Sequence, residues 1–209
     1  MYRIVILGPQ GAGKGTQAEL LSKHLNIPAI STGEIYRKEI EQKTDLGQMA
    51  ASYINQGKLA PDELTNDLIR LRLTQDDCKN GFVLDGYPRN AAQMAAMESI
   101  APLTCVLEIV ISDEEAIKRL AGRRVCPRCG ESYHTEFKKP REDEMCDACK
   151  VKLTARDDDK PEAIKERLEI YHRATEPLTG FYQGKGILRK INGEQTIEKV
   201  FEDAVKAIG

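Results

Sequence analysis

The sequence predicts an α/β fold: a five-stranded parallel sheet covered by helices, with two inserted stretches outside it. Three observations carry this. An apolar run, Arg3-Ile4-Val5-Ile6-Leu7, passes through the glycine-rich turn GPQGAGKGT (8–16) into an amphipathic run with Ala18, Leu21 and Leu25. Strand-like and helix-like runs then alternate along the chain. Two stretches break the alternation: an all-helical one near 31–60 and a charged, cysteine-bearing one near 123–160.

The turn after the first strand has the G-x-x-x-x-G-K spacing of a phosphate-binding loop. Glycines let backbone N–H groups converge on phosphate oxygens, and the helix N-terminus adds about half a positive charge. Lys14 supplies a full one, and the hydroxyl follows Gly15, at Thr16. The helix runs over 14–25 and a short strand over 28–30. Ser31-Thr32-Gly33-Glu34 then reads as a capping box opening a helix, with Ile35 and Ile40 inward and Arg37 on another face. A helix over 46–55 stops at Gly57. Pro61 introduces another, with Leu64, Leu68, Leu71 and Ile69 toward the core.

Residues 81–85 form a short apolar strand ending in Asp85 and a Gly-Tyr-Pro turn; Asn90 caps a helix to about 99. Residues 104–111 are apolar and β-branched, as in a strand covered on both faces. Ser112 or Asp113 caps a helix reaching Arg123, which would put Arg119 and Arg123 on one helical face. Pro161 opens a long helix to about 175, continued past Pro177 as a second piece. A strand over 187–191 and a helix over 196–208 close the fold. In such sheets ligands sit beyond the carboxyl ends of the strands, where Gly8, Asp85 and Ser112 fall.

Length suits one domain, or one core with an inserted lobe, and 41% hydrophobic with 31% charged residues is ordinary for a soluble chain. A net charge of −2 leaves no electrostatic footprint for nucleic acid or an anionic membrane. No run of eighteen apolar residues occurs and the N-terminus enters a strand directly, so a cytoplasmic protein is expected. Asp85 is placed either to hold Mg²⁺ through water opposite Thr16 or to cap an Asp-Gly turn. Arg37, Arg89, Arg119, Arg123, Arg156 and Arg167 recur where the chain returns to the same cleft, as phosphoryl transfer requires.

Cys126-x-x-Cys129 and Cys146-x-x-Cys149, sixteen residues apart, have the spacing of a closed, structural zinc site, with Gly130 relieving the first turn. Two disulfides or reduced thiols are the alternatives, and iron or cobalt could take the same thiolates. His134 does not fit the paired pattern. Cys78 and Cys105 read as ordinary core or surface residues, and His24 and His172 have no role.

Together these residues resemble the adenylate kinases, in the long bacterial form with a zinc-bearing lid, over essentially the whole chain. GPQGAGKGT looks like the phosphate loop of the P-loop nucleoside monophosphate kinase fold, which implies ATP contacts at Gly11, Ala12, Gly13, Lys14, Gly15 and Thr16. The likeness further implies ATP contacts at Arg119, Arg123, Ser132, Tyr133 and Gln195. It implies AMP contacts at Thr32 and Arg37, along Gly57-Lys58-Leu59 and Ala60, and at Gly86, Tyr87, Pro88, Arg89 and Gln93. Arg156 and Arg167 resemble the remaining phosphate-clamping arginines on the AMP side, and Lys14, Arg89, Arg123, Arg156 and Arg167 the catalytic set.

The implied reaction is ATP + AMP ⇌ 2 ADP with Mg²⁺, in a monomer with no nucleic-acid or membrane partner. Residues 1–30, 61–122 and 161–209 would form the core, 31–60 the AMP segment and 123–160 a lid stapled by zinc. Closure of both insertions would exclude water. Gln10 replaces the family's usual proline, and Lys150 stands where a glycine usually relaxes the second cysteine turn. A kinase for UMP or CMP and a zinc-ribbon nucleic-acid module are the rival readings.

Overall fold

This computed structural model describes residues 1–54, 56 and 58–209, with the backbone alone for Asp157. Asn55 and Gly57, the expected end and stop of a helix and the start of the adenine-lining segment, lie outside the described residues. The elements are β1 (Tyr2–Leu7), α1 (Lys14–Leu25), β2 (Ala29–Ser31), α2 (Thr32–Glu41), α3 (Asp45–Ile54) and α4 (Asp62–Leu73). Next come β3 (Gly81–Asp85), α5 (Ala91–Ile100), β4 (Cys105–Val110), α6 (Asp113–Ala121), β5 (Arg123–Val125) and β6 (Ser132–His134). The chain closes with α7 (Pro161–Ile170), a π-helical turn (Tyr171–Thr175), α8 (Leu178–Gly184), β7 (Leu188–Asn192) and α9 (Ile197–Ile208).

The expected five parallel strands stand in the order β2-β3-β1-β4-β7. Because β1 is central, its residues alternate between two buried faces. Ile4 and Ile6 pack with Leu21 of α1, Leu120 of α6, Leu168 of α7 and Val200 of α9. Val5 and Leu7 pack with Ile69 of α4, Met97 of α5 and Tyr182 of α8. The capping residues Ser31, Asn90 and Ser112 act as read, accepting the N–H three residues on, at Glu34, Gln93 and Glu115. Thr196, expected inside the last helix, instead caps it by accepting from Lys199 N–H.

Three local readings are corrected. The helix expected to reach Arg123 ends at Ala121, and Arg123 opens β5, so Arg119 and Arg123 share no helical face. Gly122 is the C-cap, and from Arg123 the backbone pairs with β6 instead, Arg123 opposite His134. Glycine permits the approach, since a Cβ there would lie 2.4 Å from His134 Nε2. On α4, Leu71 is 71% exposed, and the inward stripe is Thr65 and Ile69 with Leu64 and Leu68 half-buried. In the 31–60 stretch the packing centre is Tyr36 with Ala50 and Ala60, while Ile35 and Ile40 are only half-buried.

The cysteine-bearing stretch is a separate small lobe. β5 and β6 form a two-stranded antiparallel pair, extended by a bridge from Val125 to Thr154. Its buried cluster is Cys126, Tyr133, Cys146 and Leu153, only two of them apolar residues other than cysteine.

Candidate active site

The carboxyl ends of β1, β3 and β7 open into a cleft of about 880 Å³, floored by the 8–16 loop and roofed by the cysteine lobe; Ser112, expected at this edge, does not line it. A smaller lobe of about 60 Å³, walled by Thr32, Lys58, Leu59, Ala60 and Gln93, adjoins it. Gly33, Arg37, Gly86, Arg89 and Arg167 line both.

The loop is held tightly against the fold. Gly8 has φ +143° and Gly11 φ +86°; Cβ atoms there would lie 2.4 Å from Ile109 O and 2.8 Å from Ala116 O. Gly11, Ala12, Gly13, Lys14, Gly15 and Thr16 all line the large lobe. Lys14 Nζ folds back onto Gly8 O (2.9 Å) and Pro9 O (2.8 Å). Burial lowers its pKa to about 8; Asp85 opposes this, and Arg89, Arg167 and Arg123 add to it. Gln10 lines the same lobe, its Oε1 buried and unpartnered among the described residues.

Thr16 and Asp85 both line the large lobe, and neither side chain has a partner among the described residues. A hydroxyl and a free carboxylate across a phosphate loop are hard oxygen donors, suited to a hydrated Mg²⁺.

The arginines divide into two groups. Arg123 grips Asp159 with both ends of its fork (Nε–Oδ2 2.8 Å, and Nη2–Oδ1). Arg167 Nη1 donates to Asp158 O at 2.9 Å and pairs with its carboxylate at 3.0 Å. Burial opposes the Asp158 charge, but Arg167, Arg123, Arg156 and Arg37 outweigh it and hold the pKa below the carboxylate norm. Arg37, Arg89 and Arg156, by contrast, have no carboxylate within ion-pair distance among the described residues. Burial first, then neighbouring guanidiniums, pushes the Arg156 pKa to about 9, and Arg37 and Arg89 are lowered too. Half-buried cations without a carboxylate partner are suited to receive anions.

Arg89 is braced from three sides. Its Nε donates to Gly86 O (2.8 Å), its N–H to Gln93 Oε1 (2.8 Å), and its carbonyl accepts from Thr175 Oγ1 (2.7 Å). Thr32 Oγ1 donates to the same Gly86 oxygen at 2.8 Å. Gln93 spends its Nε2 on Asp62 Oδ1 at 2.8 Å, so both ends of its amide are engaged. Pro88 lines the large lobe, but Tyr87 reaches neither lobe. The Tyr87 side chain is fully buried, its hydroxyl 2.7 Å from Asn66 Oδ1.

On the opposite wall Arg119 donates to Glu115 Oε1 (2.7 Å) and Gly193 O (2.9 Å), and Gln195 Nε2 to Asn192 O (2.8 Å). Ser132 and Tyr133 face this wall from β6. Sequence reasoning missed Asp158, Asp159, Thr175 and Phe137. The acidic run directly after Arg156 was a usable signal for the first two; Thr175 had none. Phe137, 48% exposed, presents its ring to Lys118 (5.3 Å) and Arg119 (5.7 Å).

The four cysteine sulfurs lie within 4.8 Å of one another. Cys129 and Cys146 Sγ are 3.7 Å apart, too far for a disulfide. It is close to the ~3.8 Å edge of a tetrahedron with ~2.3 Å metal–sulfur bonds. The two turns match: Cys126 N–H to Glu131 O and Gly130 N–H to Cys126 O, then Cys146 N–H to Val151 O and Lys150 N–H to Cys146 O, all 2.9 Å. Lys150 takes the left-handed backbone (φ +54°) that Gly130 takes in the first turn (φ +75°). The donor set therefore fits a soft four-thiolate metal such as zinc. His134 stays out of it, its Nδ1 accepting from the Glu136 and Phe137 amides.

A family model described as adenylate kinase matches residues 6–187. An adenylate kinase of Thermoanaerobacter sp. (strain X514) is 47% identical over 212 residues, covering 99% of this chain and 98% of that protein. One of Clostridium novyi (strain NT) is 48% identical over 205 residues, covering 96% and 95%. One of Caldanaerobacter subterraneus subsp. tengcongensis is 46% identical over 211 residues, covering 99% and 96%.

Proposed function

The chain belongs to the adenylate kinase family, and from that premise we propose that its cleft transfers the terminal phosphoryl group of ATP to AMP, giving two ADP. One observation carries the assignment of sites: the two lobes meet at Arg37, Arg89 and Arg167. ATP occupies the large lobe, with its phosphates on the 8–16 loop. AMP occupies the small one between Thr32, Lys58, Leu59, Ala60 and Gln93. The transferring group then passes where the shared arginines converge.

An AMP phosphate oxygen attacks the terminal phosphorus, the bond to the bridging oxygen breaks, and that oxygen leaves on ADP. No protein nucleophile is needed. Lys14, released from the loop carbonyls by phosphate, follows charge onto the leaving oxygen. Arg89, Arg123, Arg156 and Arg167 hold the transferring group and the AMP phosphate, while Arg119, Ser132, Tyr133 and Gln195 seat the ATP base and sugar. Thr16 and Asp85 would hold Mg²⁺, which when bound would screen the phosphate charge.

Residues 31–60 and 123–160 act as closing segments over AMP and ATP respectively, on a core of 1–30, 61–122 and 161–209, excluding water. Zinc staples the second, whose small apolar cluster supports such a need. A monomer is supported by large exposed apolar residues scattered over α3, α4, α6 and α8, and a cytoplasmic setting by cysteines clustered as a metal site rather than paired as disulfides. Among the described residues no helix is long and apolar enough to cross a membrane.

A coupled assay for ADP tests the reading, with AMP, UMP, CMP and GMP offered in turn beside Mg-ATP. ADP formation that depends on AMP is expected; equal or greater turnover with UMP or CMP would refute the choice of acceptor.

A further inference from the structure

The nucleotide lobe and the cysteine centre share one side chain. Tyr133, on β6, is 5% exposed, lines the large lobe, and packs in the cluster that contains Cys126 and Cys146. Its Oη lies 3.5 Å from Cys146 Sγ and accepts the Asp147 N–H at 2.9 Å. A phenol carries a single proton. With the Asp147 amide donating into the oxygen, that proton is left to point at the sulfur. The Cys149 N–H reaches the same Sγ at 3.4 Å. Cys146 thus receives a backbone donor together with a side-chain donor from outside the four cysteines. Donors to a metal-bound thiolate fix its orientation and moderate its charge, and their loss typically weakens metal binding ~10–100-fold.

We propose that Tyr133 is a positioning residue for the metal centre, and that it couples metal retention to nucleotide occupancy. The proposal rests on the reading of the four cysteines as a metal site. A nucleotide in the large lobe confines the Tyr133 ring from its cleft side. The hydroxyl, at the other end of the same rigid ring, is thereby held on Cys146, and the metal escapes more slowly. Linkage makes the effect reciprocal: the metal-loaded lobe presents Tyr133 in the arrangement the nucleotide prefers. A purely space-filling Tyr133 would do neither, because its hydroxyl would be dispensable.

Tyr133→Phe separates the two roles, since it keeps the ring and removes only the hydroxyl. Zinc content of the purified wild type comes first. A wild type that takes up neither zinc nor cobalt overturns the metal reading, and this proposal with it. In metal-loaded protein, zinc release to a chromogenic chelator is then timed with and without AMP-PNP. The expected result is slower release from the wild type with AMP-PNP, and release from Tyr133→Phe about ten-fold faster and indifferent to the nucleotide. The cobalt-substituted variant should also shift the thiolate-to-cobalt charge-transfer band, which simple loss of packing would not move. If AMP-PNP does not slow release from the wild type, the coupling is overturned without reference to any variant. If both proteins release zinc at one rate and share one cobalt spectrum, the positioning role is overturned while the metal site stands.

Discussion

Replacing Asp159 by Asn tests the charge balance of the cleft most directly. Asp159 is nearly inaccessible (2% side-chain exposure) and receives two N–H bonds from Arg123, with Arg167 Nη1 3.5 Å from its Oδ1. Asparagine keeps the shape but loses the charge, and turns an N–H₂ toward one arm of the guanidinium. Removing one partner of a buried ion pair costs about 3–5 kcal/mol. Arg123 keeps 18% of its side-chain exposure and lines the cleft, so screening reduces the expected loss to about 2–3 kcal/mol. For a chain of this size that corresponds to a Tm lower by roughly 4–12 °C. Nucleotide phosphates supply the missing anion, so saturating Mg-ATP should recover much of the deficit, and the ligand-induced rise in Tm should exceed that of the wild type. Calorimetry with and without Mg-ATP measures both quantities. A Tm within ~1 °C of the wild type without nucleotide would refute the argument that Asp159 balances the arginines.

Three further outcomes are expected. Lys14→Met should lower kcat by about 10²–10³-fold with no loss of Tm, because the lowered pKa of Lys14 shows that burying its charge opposes folding. Arg89→Ala should raise KM for AMP more than KM for ATP in steady-state titrations, since its guanidinium lies beside Gly86 and Thr32 on the wall of the smaller lobe; equal effects on both substrates would count against that placement. His172 bonds Glu176 (2.8 Å) and Asp113 (3.0 Å), and these bonds, Glu176 first, raise its pKa. Its stabilising contribution is therefore complete below its unfolded value of about 6.5 and lost as pH rises through the higher folded value. The half-exposed site keeps the effect small. The Tm difference between wild type and His172→Gln should accordingly be larger at pH 6 than at pH 9, and a constant difference would contradict the charged clasp.

The readings that hold depend on short-range chemistry. The phosphate loop, its flanking strand and helix, the three caps at Ser31, Asn90 and Ser112 and the two C-x-x-C turns are each specified within ten residues, where steric and hydrogen-bonding rules act alone. The alternation of strand and helix likewise carried the fold, because a parallel sheet covered on both faces needs near-continuous apolar strands such as Val5-Ile6-Leu7 and Val106-Leu107. The end of α6 was not legible. Its helical pattern continues to Arg123, but from Arg123 the chain pairs with β6 instead, opposite His134, twelve residues beyond Gly122 in sequence. Glycine permits this, since a Cβ at Gly122 would sit 2.4 Å from His134 Nε2.

The sequence by itself thus determined the sheet, the loop, the recurrence of arginines and the sulfur donors, because residue type and local spacing suffice for each. Only the tertiary structure decided which arginines are already paired. Arg123 and Asp159 lie 36 residues apart and meet because the cysteine lobe leaves and rejoins the core at one place. It also decided that Tyr87 faces the core while Arg89, two residues on, faces the cleft. Burial and charge pairing depend on every element that converges on a site, and no local window contains them.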